Sequence, residues 1–222
     1  LHNSFFGTYT DCWVLDSHDN HENPIHGYDF STKFNTSLGN MAGTWYAEKE
    51  NNGGAFLVKG TDFASIVMTV SNGGTISTFV ISQDADTSGT ICTIDESPVK
   101  AYMTYENNVI TIHAPQNTEI YLNSNSDCMF PSVISLDLGI FNGSKLTSCQ
   151  YMFGGNKMLT SVNFEHFYAP LLITTVAMFD NCTSLTTINV SGLNAPHITD
   201  MSSMFNSCTS LVRVVMNGMN TS

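Results

Sequence analysis

The carboxyl-terminal part of the chain repeats with a fixed period of 26, and this constrains its fold more than any other feature. The pattern L-x-x-L-x-L-x-x-L starts at Val133, Leu159, Leu185 and Leu211, and each of its sixteen apolar positions is filled. The copies read Val133, Leu136, Leu138, Phe141; Leu159, Val162, Phe164, Phe167; Leu185, Ile188, Val190, Leu193; and Leu211, Val214, Met216, Met219. Between copies, Met-Phe recurs in phase at Met152-Phe153, Met178-Phe179 and Met204-Phe205, and Cys recurs at Cys182 and Cys208. A fixed period of this length means stacked supersecondary units, none of which can bury its apolar face alone.

The spacing predicts one coil per repeat. Ser184–Val190 reads as a strand, Ser191-Gly192 as a turn, and Thr199 onward as one helical turn with Thr199 or Asp200 as its amino-terminal cap. The first copy is irregular: one full period before Met152-Phe153 stand Ser126-Asp127, and the Cys column reads Asn156 in the second coil.

Upstream, residues 45–123 carry short alternating runs typical of half-buried strands: 44–47, 55–59, 64–70, 75–82, 91–94, 101–105, 109–113 and 119–122. Ser71-Asn72-Gly73-Gly74 and Glu106-Asn107-Asn108 are turn signals that read as antiparallel hairpins. The expected fold is therefore mainly β: an antiparallel sandwich-like domain over 45–123, then a short solenoid of four coils over 126–222. Residues 1–44 form an irregular, aromatic-rich segment without a period.

Composition narrows the partners. Seven Lys plus Arg against nineteen Asp plus Glu give a net charge of -12, which repels phosphate backbones and anionic lipid and argues against nucleic acid. No apolar stretch approaches the ~20 residues that span a bilayer, so membrane insertion is not expected. The six Cys show neither metal-site spacing nor a dense disulfide framework. Cys182 and Cys208, in equivalent positions of adjacent coils, are close enough for a disulfide or for a ladder of buried thiols.

The phrase running from Thr199 to Leu211, with Asp180-Asn181-Cys182-Thr183-Ser184-Leu185 one period earlier, resembles the BspA-like, or mycoplasma-lipoprotein-type, leucine-rich repeat. The resemblance covers residues 126–222 and implies a noncatalytic adhesion or interaction scaffold outside the cell or on its surface, with protein or glycan surfaces as partners.

Candidate sites follow from the repeat and from one polar cluster. In L-x-x-L-x-L the residues flanking the second Leu face outward, exposing Ser135, Asp137, Ser161, Asn163, Thr187, Asn189, Arg213 and Val215 as a ladder that either binds a glycan or peptide or solvates a β surface. No cofactor is expected, with one exception: Asp16, His18, Asp19, His21 and His26, within residues 16–29, could ligate a metal ion, or form a solvated loop. The final strand would leave Val212, Val214, Val215 and Met216 as an uncovered edge, to be closed by self-association or by a continuing chain.

No nucleophile elbow, phosphate-cradling loop or paired carboxylates are found, so an enzyme is not expected. Asp84 and Asp86 lie in a loop with no partner that the sequence places. Two further readings remain: a structural subunit of an extracellular assembly such as a filament, a virion fibre or a capsid decoration, at a virion surface in the last cases, and an enzyme acting on polysaccharide.

Overall fold

The computed structural model describes residues 54–193 and 195–216. The chain divides between residues 51 and 52 into two units, and all described residues belong to the second. The irregular segment 1–44 and the metal candidates Asp16, His18, Asp19, His21 and His26 lie outside the described residues.

Strands predominate: Ala55–Phe56 (β1), Thr78–Ser82 (β2), Thr90–Ile91 (β3), Tyr102–Glu106 (β4), Val109–His113 (β5), Ile120–Tyr121 (β6), Ser135–Asp137 (β7), Ser161–Asn163 (β8), Thr187–Asn189 (β9) and Arg213–Val215 (β10). One α-helix, Gly60–Val70 (α1), and two 3-10 turns, Leu138–Ile140 and Ser191–Leu193, are the helical elements among the described residues.

The helix corrects the strand expected over residues 64–70. Phe63, Ile66, Val67 and Val70 recur at i, i+3, i+4 and i+7 and form its core-facing stripe, with Phe63 and Val67 fully buried. The β-branched residues masked this period. Ser71-Asn72-Gly73-Gly74 is accordingly the end of α1 and not a hairpin: Asn72 and Gly73 have φ of 50° and 71°, and the Gly73 N–H donates to the Met68 carbonyl at 3.1 Å. Positive φ serves a helix terminus and a tight hairpin equally.

The Glu106-Asn107-Asn108 hairpin is present, with Asn107 and Asn108 at φ 50° and 66° between β4 and β5. The sheet it belongs to is mixed, not antiparallel: its order is β2-β5-β4-β3, and β2 runs parallel to β5. A parallel pair needs a crossover between its strands, and here the antiparallel β3-β4 segment provides it.

Beyond residue 123, parallel pairing repeats at the sequence period. Ser135–Asp137 pairs with Ser161–Asn163, and Thr187–Asn189 with Arg213–Val215, each strand with its equivalent one period later. A second line of parallel bridges joins Asn125, Ser148, Thr174 and Asp200. All twelve pattern positions of the first three copies are buried. In the fourth, Leu211 and Val214 are half-buried and Met216 is exposed.

Successive coils also stack their phenylalanines. Phe153, Phe179 and Phe205 lie 5.2 and 5.5 Å apart, with interplanar angles of 2° and 7°. The first member of this column is Phe130, 5.4 Å from Phe153, so Met129-Phe130 supplies the pair that the strict period assigned to Ser126-Asp127. The first coil is three residues shorter between its Phe and its first strand position. The Met-Phe segments are turns and not the helical turn expected from Thr199, because Cys128, Tyr151, Ala177 and Ser203 take positive φ of 51–57°. The capping part of that expectation holds, since Asp200 accepts the Ser202 N–H at 2.9 Å.

The shortened coil explains Asn156. In the later coils the first strand residue donates its N–H three residues back, Leu185 to Cys182 and Leu211 to Cys208. Val133 instead donates to Asn156 Oδ1 at 2.9 Å, and Asn156 Nδ2 donates to the Phe130 carbonyl. A thiol could supply only the second bond. Asn156 is 2% exposed, so Asn156→Ala strands a buried donor and a buried acceptor and should cost about 2–4 kcal/mol. Asn156→Cys, which keeps a donor to Phe130, should cost less. Urea unfolding of the three proteins checks both the size and the order.

Candidate functional site

The outward positions of the strands divide into two sets. Asp137, Asn163 and Asn189 each accept the N–H two residues on, from Gly139, Glu165 and Ser191 at 2.8, 2.9 and 3.0 Å. Their side-chain oxygens shape the turn after each strand. Ser135 is half-buried and donates to the Ser77 carbonyl at 3.2 Å. Ser161, Thr187 and Arg213 are exposed and make no hydrogen bond through their side chains among the described residues. Register relates them in pairs, Ser135 to Ser161 and Thr187 to Arg213. The fourth coil departs from the column of turn-capping residues, since Val215 stands where Asn189 stood.

At the last strand, Val212 is 86% and Met216 38% exposed, while Val214 and Val215 are half-buried. β10 pairs with β9 on one side only among the described residues.

The thiols are structural. Cys182 and Cys208 are free, and each donates to the carbonyl of the preceding coil's Phe, Cys182 to Phe153 at 3.2 Å and Cys208 to Phe179 at 3.0 Å. Cys92 and Cys149 are also free and buried, and burial pushes Cys92 and Cys182 up to about 12 and Cys149 up as well. A thiol is reactive as its thiolate, so these are inert. Among the described cysteines, alkylation of the native protein should therefore modify Cys128 first, Cys208 more slowly, and Cys92, Cys149 and Cys182 only on unfolding; peptide mass mapping reads the order.

One constellation escaped the sequence. The parallel register of β2 and β5 sets Ser82 opposite His113 and brings Asp84 within reach, 29 residues away. His113 Nδ1 lies 2.9 Å from Asp84 Oδ1, and its Nε2 lies 2.8 Å from Thr104 Oγ1. The Asp84 carboxyl is held down at about 2, first by the Asp86 N–H, then by His113 and the Ser82 hydroxyl. Asp86 is lowered in turn by the N–H and hydroxyl of Ser88. The order hydroxyl, imidazole, carboxylate is that of an activated nucleophile. Thr104 sits in mid-strand on β4. The relay ties the loop after β2 to the sheet.

Because Asp84 is lowered in the folded state, its stabilising contribution is present above its ordinary value of 3.8 and is lost as the pH falls to about 2. Asp84→Asn should lower the urea midpoint at neutral pH, and the gap to wild type should close between pH 3.8 and about 2. A gap that persisted below that range would assign the effect to something other than the carboxylate.

Among the described residues no group of three or more His, Cys, Asp or Glu could hold a metal ion, and no helix is long and apolar enough to cross a membrane. Residues 122–221 match the family model described as Mycoplasma protein of unknown function, DUF285. The match covers a little under half of the chain and brackets the repeating coils. Neither the curated proteins nor the solved structures compared with the chain gave a match.

Proposed function

We propose that the repeating coils form a leucine-rich-repeat solenoid of the BspA-like type, displayed at a cell surface, that acts as a noncatalytic scaffold binding protein or glycan surfaces. One observation carries the reading: the interior columns of Phe, Met and strand residues are buried through the first three coils, whereas Ser161, Thr187 and Arg213 are exposed on successive strands and make no side-chain hydrogen bond among the described residues. Such a row offers a partner two hydroxyls and a cation on successive strands. The match to a family described from Mycoplasma and the low charged fraction of 12% support the same reading. The steep negative charge favours partners with neutral or basic surfaces.

A second reading, a subunit of an extracellular assembly, draws on the exposure of Val212 and Met216 beside the half-buried Val214. An apolar strand edge of this kind pairs readily with another strand.

The experiment immobilises the 222-residue protein and measures binding to a panel of purified extracellular-matrix proteins and neutral oligosaccharides by biolayer interferometry. The double substitution Ser161→Lys with Thr187→Lys should weaken the strongest interaction tenfold or more, equivalent to about 1.4 kcal/mol, without lowering the melting temperature. Equal binding by the variant would remove the strand face from the reading. Concentration-dependent mass in light scattering, abolished by Val212→Lys, would favour the assembly instead.

A further inference from the structure

A separate cleft lies beside the first two coils. Its volume is about 550 Å³, and it is lined by the loop after β2, the segment entering β6, and the turns that follow β7 and β8. Small-molecule sites commonly occupy about 300–1,000 Å³, with an apolar floor and a few fixed polar groups. The floor here is Ile120 and Phe141, 2% and 3% exposed.

The polar groups are fixed before any ligand arrives. Gln83 is held at both ends of its amide: Oε1 accepts the Asn117 N–H, and Nε2 donates to the Thr118 carbonyl at 3.2 Å. Asn142 is held in the same way: Oδ1 accepts the Ser144 N–H at 2.9 Å, and Nδ2 donates to Glu119 Oε2 at 2.8 Å. A primary amide has two N–H groups, so one donor on each remains unspent, and the Glu119 carboxylate keeps lone pairs to accept with. Thr118, another wall residue, is 6% exposed, and its hydroxyl has no hydrogen-bond partner among the described residues. At the rim, Tyr168 leaves its ring half exposed, at 52%.

The fold brings these groups together through close coil approach. A Cβ at Gly143 would lie 2.8 Å from both the Phe167 ring and the Tyr168 carbonyl, and one at Gly139 would lie 2.4 Å from the Glu165 carbonyl. Glycine at these two positions lets the turn carrying Asn142 close against the turn carrying Tyr168.

We propose that this cleft binds a neutral sugar residue. An aromatic face suits the C–H face of a pyranose, and fixed amide donors beside a carboxylate acceptor suit neighbouring sugar hydroxyls, each of which both gives and takes a hydrogen bond. Among the described residues no Lys or Arg lines the cleft, and Glu119 repels phosphate, sulfate and carboxylate groups. Because both amides are already immobilised, a ligand does not have to order them. The proposal does not rest on the scaffold reading, since none of its residues belongs to the exposed strand row.

The test is a titration of the isotopically labelled 222-residue protein with glucose, lactose, N-acetylglucosamine, chitobiose and sialyllactose, followed by amide NMR shifts. At least one neutral sugar should bind with a Kd of about 1 mM or tighter. Its shifts should fall on residues 83, 118–120, 139–144 and 166–168, and sialyllactose should bind at least tenfold more weakly than lactose. Tyr168→Ala and Asn142→Ala should each weaken binding tenfold or more, while Thr187→Lys should leave it unchanged. Should Asn142→Ala unfold the protein, Tyr168→Leu tests the exposed rim alone. Absence of shifts at these residues well above millimolar sugar, or undiminished binding by the Tyr168 variants, would overturn the proposal. So would stronger binding of sialyllactose than of lactose.

Discussion

The described coils after residue 123 depend on one ladder, in which Phe130, Phe153, Phe179 and Phe205 stack at 5.2–5.5 Å. That separation is close to the ~4.8 Å between paired strands, so rings and backbone keep one common repeat. Each ring reaches the interior because the residue two before it turns left-handed. For Cys128, Tyr151, Ala177 and Ser203 this costs about 1–2 kcal/mol apiece. The cost is offset locally. Tyr151 and Ala177 donate their N–H groups to the next coil, to Val176 and Ser202 at 3.0 and 2.9 Å, and Phe153 and Phe179 do likewise to Met178 and Met204 at 2.9 Å. The strained turn thus aligns a second set of cross-coil hydrogen bonds.

The ladder also needs a beginning, which the mixed sheet and α1 provide. Phe63 and Phe79 meet Phe130 edge-on at 5.9 and 5.2 Å, so the first ring of the column is covered by helix and sheet. Strand-like pairing continues across this junction: Ile76 bridges Val133, Tyr121 bridges Asn142, and Gly60 donates to the Asn125 carbonyl at 2.9 Å. A first coil of full length would bring its own Cys-column residue to this junction. Its shortening removes that residue and leaves Val133 N–H without its usual acceptor, and Asn156 from the next coil restores the bond. What looks like decay of the repeat in sequence is a repair in three dimensions.

The period made the strand positions legible, since burial in a stacked coil depends on local spacing alone. Val133 through Leu193 behave as their pattern positions demand. Features that depend on a change of phase were not legible. Met129-Phe130 falls short of a full period before Met152-Phe153, and a search at the strict period passes over it. Residues 64–70 combine β-branched side chains with helical spacing, and the apolar stripe of Phe63, Ile66, Val67 and Val70 decides in favour of the helix. The outward row could be read as a face but not apportioned. Whether Asn163 caps its own turn or waits for a partner depends on a 3-10 or bend geometry that sequence does not specify. The Asp84, His113 and Thr104 relay depends on the parallel pairing of β2 and β5, and no local motif announces it.

In a linear stack, stability is close to a sum of intrinsic and nearest-neighbour terms, so coils differ by what lies on either side of them. The first coils have the sheet on one face and a coil on the other, and Met129, Met152 and Phe153 are essentially inaccessible. Among the described residues the fourth coil has a neighbour on one face only, and Phe205, Cys208, Leu211 and Val214 are half-buried where their counterparts one coil earlier are buried. Burial therefore declines along the described coils. The cleft lies at the start of that gradient, and the strand row runs from the second coil to its end. Recognition of a single sugar needs donors fixed to a fraction of an ångström, and the cleft draws Gln83, Asn142 and Tyr168 from the best-supported end. A broad protein or glycan surface tolerates, and gains contact area from, small adjustments of its partner. The row ending at Thr187 and Arg213 lies where the stack can supply them.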